Sequence, residues 1–159
     1  ALHAAGEPMV FFPVILFGCV GMVGGSGNTW PLCLLGLRAK SEQIRAIAKV
    51  GIVPGWFGIN EPVTFGMPIM YNPILCIPYV LNTLLITVLT AVAYNMGWLM
   101  PSWISVTALL PIGIGAYFST LNIFNAIWQY LMIIPSAIVW YPFLKAYDNQ
   151  LYAKECASK

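Results

Sequence analysis

The run from Pro73 to Tyr94, PILCIPYVLNTLLITVLTAVAY, is 22 residues without a charge. About 20 consecutive apolar residues cross the hydrocarbon core of a bilayer as an α-helix. A second run, IFNAIWQYLMIIPSAIVWYPFL from Ile123 to Leu144, has the same length and is equally free of charge. Composition outside these runs leads the same way. The 159-residue chain is 60% hydrophobic and only 8% charged, against about 25% charged in soluble domains, and its mean hydropathy is +0.81. That is too little charge for a solvated shell. The sequence predicts an all-α integral membrane protein. The net charge of +2 points to no nucleic acid, because the basic residues form no surface among soluble elements.

The seven Lys and Arg fall in two patches: Arg38, Lys40, Arg45 and Lys49 in one connector, and Lys145, Lys154 and Lys159 after the last apolar run. Positive charge near span ends marks the cytoplasmic side. Both patches, and with them the C-terminus, are expected in the cytoplasm, with an even number of crossings between them. As well as anchoring topology, they could form a docking surface for a soluble partner.

Breakers divide the remainder. Residues 9–37 are apolar but interrupted by Gly24-Gly25-Ser26-Gly27-Asn28-Thr29. This is either two half-helices around a loop or a helix ending at the loop. Backbone without helical hydrogen bonds survives at membrane depth only inside protein or beside a wet cavity, so such a turn can offer free N–H groups to a polar ligand. A helix-packing glycine cluster would look similar. Arg38 to Lys49 reads as a basic amphipathic connector. Gly51 to Asn72 carries Pro54, Gly55, Gly58, Pro62, Gly66 and Pro68, a density that predicts a re-entrant hairpin instead of a straight span. Ile104 to Asn122, with Pro111, Gly113 and Gly115, is a second re-entrant candidate. Trp98 and Trp103 sit at an interface turn, as aromatic-belt residues do.

Glu61 is the only charge between Val50 and Leu144, a stretch of 95 residues. An ionisable residue in a membrane segment is costly and marks a functional site by default. In Asn60-Glu61-Pro62, proline suits the first turn of a helix, which places Glu61 at a helix N-terminus, where the dipole favours its charge. Burial would act in the opposite direction. The carboxylate could accept hydrogen bonds from two sugar hydroxyls or take a hydroxyl proton as a base; it could also serve as a structural cap. Asn60 adds an amide with donor and acceptor. Trp56, Phe57 and Tyr71 flank the motif and are able either to stack on a pyranose or to pack.

The cysteines, Cys19, Cys33, Cys76 and Cys156, have no metal-site or C-x-x-C spacing. Three are expected to pack as small hydrophobes, and nothing near Cys156 suggests an activated nucleophile. His3 cannot form a metal site alone and reads as a solvated or cap residue. No metal or cofactor is expected. The abrupt start, Ala1-Leu2-His3-Ala4, reads as a piece of a longer membrane protein.

Three segments together resemble the C-terminal half of enzyme IIC of bacterial sugar phosphotransferase systems, of the lactose/cellobiose/chitobiose type. They are the glycine loop, the block Gly58-Ile59-Asn60-Glu61-Pro62-Val63-Thr64-Phe65-Gly66-Met67-Pro68, and the closing Tyr141-Pro142-Phe143-Leu144-Lys145-Ala146-Tyr147-Asp148. The resemblance covers essentially the whole chain, with the Asn-Glu-Pro block its most specific part. It implies a single substrate-binding domain over 1–159 in a multi-pass protein of the bacterial plasma membrane, without the N-terminal half that forms the family's homodimer interface. It further implies a permease that binds a disaccharide and presents it to a separate enzyme IIB carrying phosphocysteine. Glu61 matches the family's sugar-binding glutamate, and Asn60 its neighbour. Gly25, Ser26, Gly27 and Asn28 would line the sugar, with Trp56 beside it; a sugar-contacting histidine of the family lies upstream and His3 does not match it. Two other classes stay open: an ion-coupled secondary transporter, whose broken helices look alike, and a membrane-embedded enzyme using Glu61 as acid or base. The second is weakened by the lack of a further carboxylate, histidine or metal cluster in the membrane region.

Overall fold

A computed structural model describes residues 20–102 and 110–157. His3, Cys19, Trp103, Lys159 and the first parts of the apolar segments 9–37 and 104–122 lie outside the described residues. Among the described residues there are seven α-helices, one 3-10 turn and no strand. The helices are α1 Thr29–Gly36, α2 Glu42–Trp56, α3 Glu61–Gly66, α4 Pro73–Asn95, α5 Ile114–Thr120, α6 Ile123–Leu131 and α7 Ile133–Ala157, with the 3-10 turn at Ile69–Tyr71. The all-helical fold agrees with the sequence reading.

Helix α4 follows the expected 73–94 span almost residue for residue. Asn72 caps it by accepting from the Ile74 N–H at 3.0 Å, and Pro73 opens its first turn, where a missing N–H costs nothing. Its buried residues, Leu75, Pro78, Asn82, Ile86, Thr90 and Ala93, recur every three or four positions and make one inward stripe. Ile77, Val80, Leu84 and Val88 are exposed. A soluble core helix of this hydropathy would be covered nearly all round. A large apolar face thus stays open along a helix long and apolar enough to cross a membrane.

The second expected span, 123–144, begins where expected but differs inside and at its far end. It breaks after Leu131 and resumes at Ile133. Pro135 has no N–H to donate to the Leu131 carbonyl, which is enough to interrupt a helix. Helix α7 then continues to Ala157, well past the first charge at Lys145, because its polar end has a docking partner in the chain. Asp148, buried on α7, accepts from the Lys40 and Ser41 N–H groups at 2.9 and 2.8 Å. Glu155 accepts from the Ser41 hydroxyl at 2.6 Å and from the Glu42 and Gln43 N–H groups at 3.2 and 3.3 Å. The free amides at the start of α2 are thus capped by two carboxylates seven residues apart on α7, where the helix dipole favours negative charge. Ser41 adds its own cap to the Ile44 N–H. Lys40 of the first basic patch and Lys154 of the second therefore sit at the same end of the molecule.

The connector and the breaker-rich segment do not separate where composition suggested. Helix α2 begins inside the connector and runs through Gly51, Pro54 and Gly55 to Trp56. These glycines act here through close packing. The buried face of α2 is Ile44, Ala48, Gly51 and Gly55. A Cβ on Gly51 would strike Val63 of α3 and lie 3.1 Å from the Cys33 sulfur of α1, and one on Gly55 would lie 3.1 Å from the Trp30 ring. Gly36 of α1 meets Ala48 from the other side. Small residues bring membrane helices into van der Waals contact in this way. The chain does reverse at Phe57–Asn60, and α3 returns along α2 for six residues. The expected helical hairpin is present, and neither α3 nor the seven-residue α5 is long enough to cross a bilayer.

Candidate functional site

Two segments that are 34 residues apart in sequence meet at one face of the molecule. The glycine loop approaches with left-handed backbone at Gly24, Gly25, Gly27 and Asn28. Opposite it, the α2–α3 turn presents Asn60 and Glu61. A Cβ on Gly25 would lie 2.7 Å from Asn60 Cγ and 2.9 Å from the Gly58 carbonyl oxygen, so only glycine permits the approach. The Asn60 side-chain amide donates to the Ser26 carbonyl at 2.8 Å and to Ser26 Oγ at 3.1 Å. Ser26 Oγ shares a further hydrogen bond of 2.6 Å with the Tyr79 hydroxyl of α4. The Tyr79 ring occupies the place a side chain at 27 would need.

Glu61 is the first residue of α3, with Pro62 next to it, as the Asn-Glu-Pro order predicted. Asn60 contributes its carbonyl, which accepts from the Val63 and Thr64 N–H groups at 3.1 and 2.9 Å, not a side-chain cap. Glu61 is exposed and makes no hydrogen bond or ion pair among the described residues. Its carboxylate is available to a ligand and lies at the surface, not buried as the sequence suggested.

The remaining expected residues divide by depth. Asn28 is fully buried. Its Oδ1 accepts from the Val23 N–H at 2.6 Å, so it shapes the loop from behind. Its carbonyl accepts from Trp140 Nε1 at 3.0 Å and from the Ser136 hydroxyl at 3.3 Å; Trp140 Nε1 also reaches the Gly27 carbonyl at 3.3 Å. Asn82 of α4 donates to Ser136 Oγ at 2.8 Å. The two long apolar stretches thus carry the polar groups that hold the loop. Trp56 is half-buried in an aromatic row, 5.1 Å from Trp30 and 6.1 Å from Tyr130 between ring centroids. Phe57 and Tyr71 are exposed, Tyr71 almost fully. Behind this row Gln129 accepts from the Gly113 N–H at 2.7 Å and donates to the Met22 carbonyl. That joins the second broken segment to the loop's approach.

Tyr79, Asn82, Ser136 and Trp140 escaped sequence reasoning because each lies inside an apolar run, where aromatic and small polar residues read as packing. The one available signal was the polar residue at helical spacing on an otherwise apolar face, Asn82 above all. Cys33 is buried, Cys76 half-buried and Cys156 exposed, all as free thiols.

Two long apolar helices, two short interrupted ones and a polar node where a glycine loop meets a charged turn define an all-helical integral membrane protein with broken helices around a polar site. Comparison with known proteins gives its likeness: the family model described as phosphotransferase system, EIIC, matches residues 10–83. The oligo-beta-mannoside-specific EIIC component of Bacillus subtilis (strain 168) is 36% identical over 86% of this chain and 31% of its own length. The cellobiose-specific EIIC component of Geobacillus stearothermophilus is 38% identical over 85% of the chain and 31% of its own. The lactose-specific EIICB component of Streptococcus mutans is 33% identical over 86% of the chain and 24% of its own. In the crystal structure of the transporter ChbC, the IIC component of an N,N'-diacetylchitobiose-specific phosphotransferase system, the same fold recurs with a TM-score of 0.86 and 33% identity. That match covers 95% of this chain and 36% of ChbC. The chain spans about a third of the length of the EIIC relatives it matches.

Proposed function

We propose that this chain is the substrate-binding C-terminal part of a membrane permease that takes up a disaccharide and presents it to a phosphorylated enzyme IIB. The observation that carries this reading is the meeting of the glycine loop and the Asn60–Glu61 turn through the Asn60–Ser26 hydrogen bonds. It sets an exposed carboxylate beside hydroxyl and amide groups on one face, the donor and acceptor mixture that a sugar requires. Glu61 accepts from the hydroxyl that becomes phosphorylated. As that oxygen bonds to phosphorus and the partner's cysteine S–P bond breaks, the hydroxyl proton passes to the Glu61 carboxylate. Asn60, Gly25, Ser26 and Gly27 form the adjoining wall, with Asn28 supporting them and Trp56 offering an aromatic face. The relatives named for cellobiose, oligo-beta-mannoside, lactose and N,N'-diacetylchitobiose favour a disaccharide of that kind.

In the whole protein, a homodimer built on a further, N-terminal half crosses the bacterial plasma membrane several times. The capped end carrying Arg38, Lys40, Arg45, Lys49, Lys145 and Lys154 faces the cytoplasm, where enzyme IIB docks. The test is uptake of labelled disaccharide by vesicles bearing the full-length protein. Transport that requires phosphoenolpyruvate and the soluble phosphotransferase components, and yields sugar phosphate, is expected. Accumulation of unmodified sugar driven by an ion gradient would replace this reading with that of a secondary transporter.

A further inference from the structure

We infer that Tyr79 and Ser26 form a hydrogen-bond donor to the bound sugar, a second polar pole of the site beside the acceptor Glu61. The inference rests on the sugar-binding reading and adds a residue to it. Proton bookkeeping carries the argument. Ser26 and Tyr79 each own one O–H proton. They share a single hydrogen bond of 2.6 Å, in which either can donate. Asn60 is a donor to Ser26, so it consumes a lone pair and no proton. Whichever hydroxyl donates within the pair, the other proton is left unspent among the described residues. If Tyr79 donates, the Ser26 proton is available; if Ser26 donates, the phenol's is.

The unspent proton is also well placed. Ser26 is exposed and Tyr79 half-buried, and Ser26 is bonded to Asn60, the chain neighbour of the exposed Glu61. The phenol is held in position. Its ring packs on Gly27 where a side chain would otherwise stand, and its backbone lies in the capped helix α4. A preorganised hydroxyl contributes more to binding than one that must be ordered on contact. An ionised carboxylate only accepts. A sugar bound by Glu61 alone would therefore leave its own acceptor oxygens unmet, and the Tyr79–Ser26 pair supplies the missing donor.

The experiment uses the full-length permease in detergent and titrates it with a disaccharide and its monodeoxy analogues. Tyr79→Phe keeps the ring over Gly27 and removes the hydroxyl. Binding is expected to weaken about 2- to 12-fold, the range of one neutral hydrogen bond. The loss is expected to be confined to one sugar position: the analogue lacking that oxygen binds wild type and Tyr79→Phe equally. That position differs from the one silenced by Glu61→Gln. Ser26→Ala, which removes the partner that aims the phenol, is a second variant and is expected to lose affinity at the same position. An unchanged affinity in both Tyr79→Phe and Ser26→Ala, or an equal loss for every analogue, overturns the inference while leaving the transport reading intact. Wild-type protein that binds none of the disaccharides overturns the transport reading, and this inference with it.

Discussion

Gly25→Ala, set against Gly97→Ala, isolates the contact on which the site depends. Both glycines have left-handed backbone, with φ of 84° and 76°. For an alanine that conformation costs about 1–2 kcal/mol, so the backbone penalty is shared. The surroundings differ. A Cβ at 97 has nothing within 4 Å, whereas one at 25 lies 2.7 and 2.8 Å from Asn60 Cγ and Cβ and 2.9 Å from the Gly58 carbonyl oxygen. Only Cγ can swing away by side-chain rotation; Asn60 Cβ and the Gly58 carbonyl are fixed by the backbone. Overpacking of that kind costs about 1–3 kcal/mol. Gly25→Ala should therefore be destabilised by about 2–5 kcal/mol and Gly97→Ala by about 1–2 kcal/mol. If the loop yields without unfolding, Asn60 leaves Ser26 and sugar affinity falls. The assay pairs thermal unfolding with sugar titration of the full-length protein. Equal melting temperatures and equal affinities in the two variants would refute the close approach of loop and turn.

Two further outcomes follow from the packing. Asp148→Ala strands the Lys40 and Ser41 amides at the start of α2, two charge-assisted bonds in all; a loss of at least about 2 kcal/mol is expected, read as a lower melting temperature that Asp148→Asn partly restores. A cysteine at Lys40 and one at Lys154 should be labelled by a membrane-impermeant thiol reagent from the same side of the membrane, and only from the cytoplasm, since α7 caps α2 at that end.

Much of the fold was legible because membrane solvation imposes strong rules on sequence. Charge-free length revealed α4, and the Asn-Glu-Pro order revealed the start of α3. The residues mark the glycine loop and the Glu61 block as separate motifs and only the resemblance implies that both meet the sugar; the structure joins them through the Asn60–Ser26 hydrogen bonds. What could not be read is equally physical. Gly51 and Gly55 can break a helix or let two helices touch, and only the presence of Cys33, Val63 and Trp30 across the gap decides for packing. The extension of α7 to Ala157 depends on acceptors for the free amides of α2, a long-range pairing that local composition does not show. Tyr79 reads as lipid-facing or core until Ser26 is seen at its hydroxyl.

The central claim is that Glu61 binds sugar, and the affinity of the full-length protein for its disaccharide, measured for wild type and Glu61→Gln, tests it most directly. Hydrogen bonds to a charged group contribute about 1.5–3 kcal/mol, so affinity should fall by roughly 10- to 150-fold. Glu42→Gln, at the capped end of α2, should change it little. The melting temperature should stay near wild type, because Glu61 makes no hydrogen bond among the described residues. A Glu61→Gln protein that binds and phosphorylates sugar like the wild type, or that only melts earlier while its folded fraction binds normally, would contradict the account.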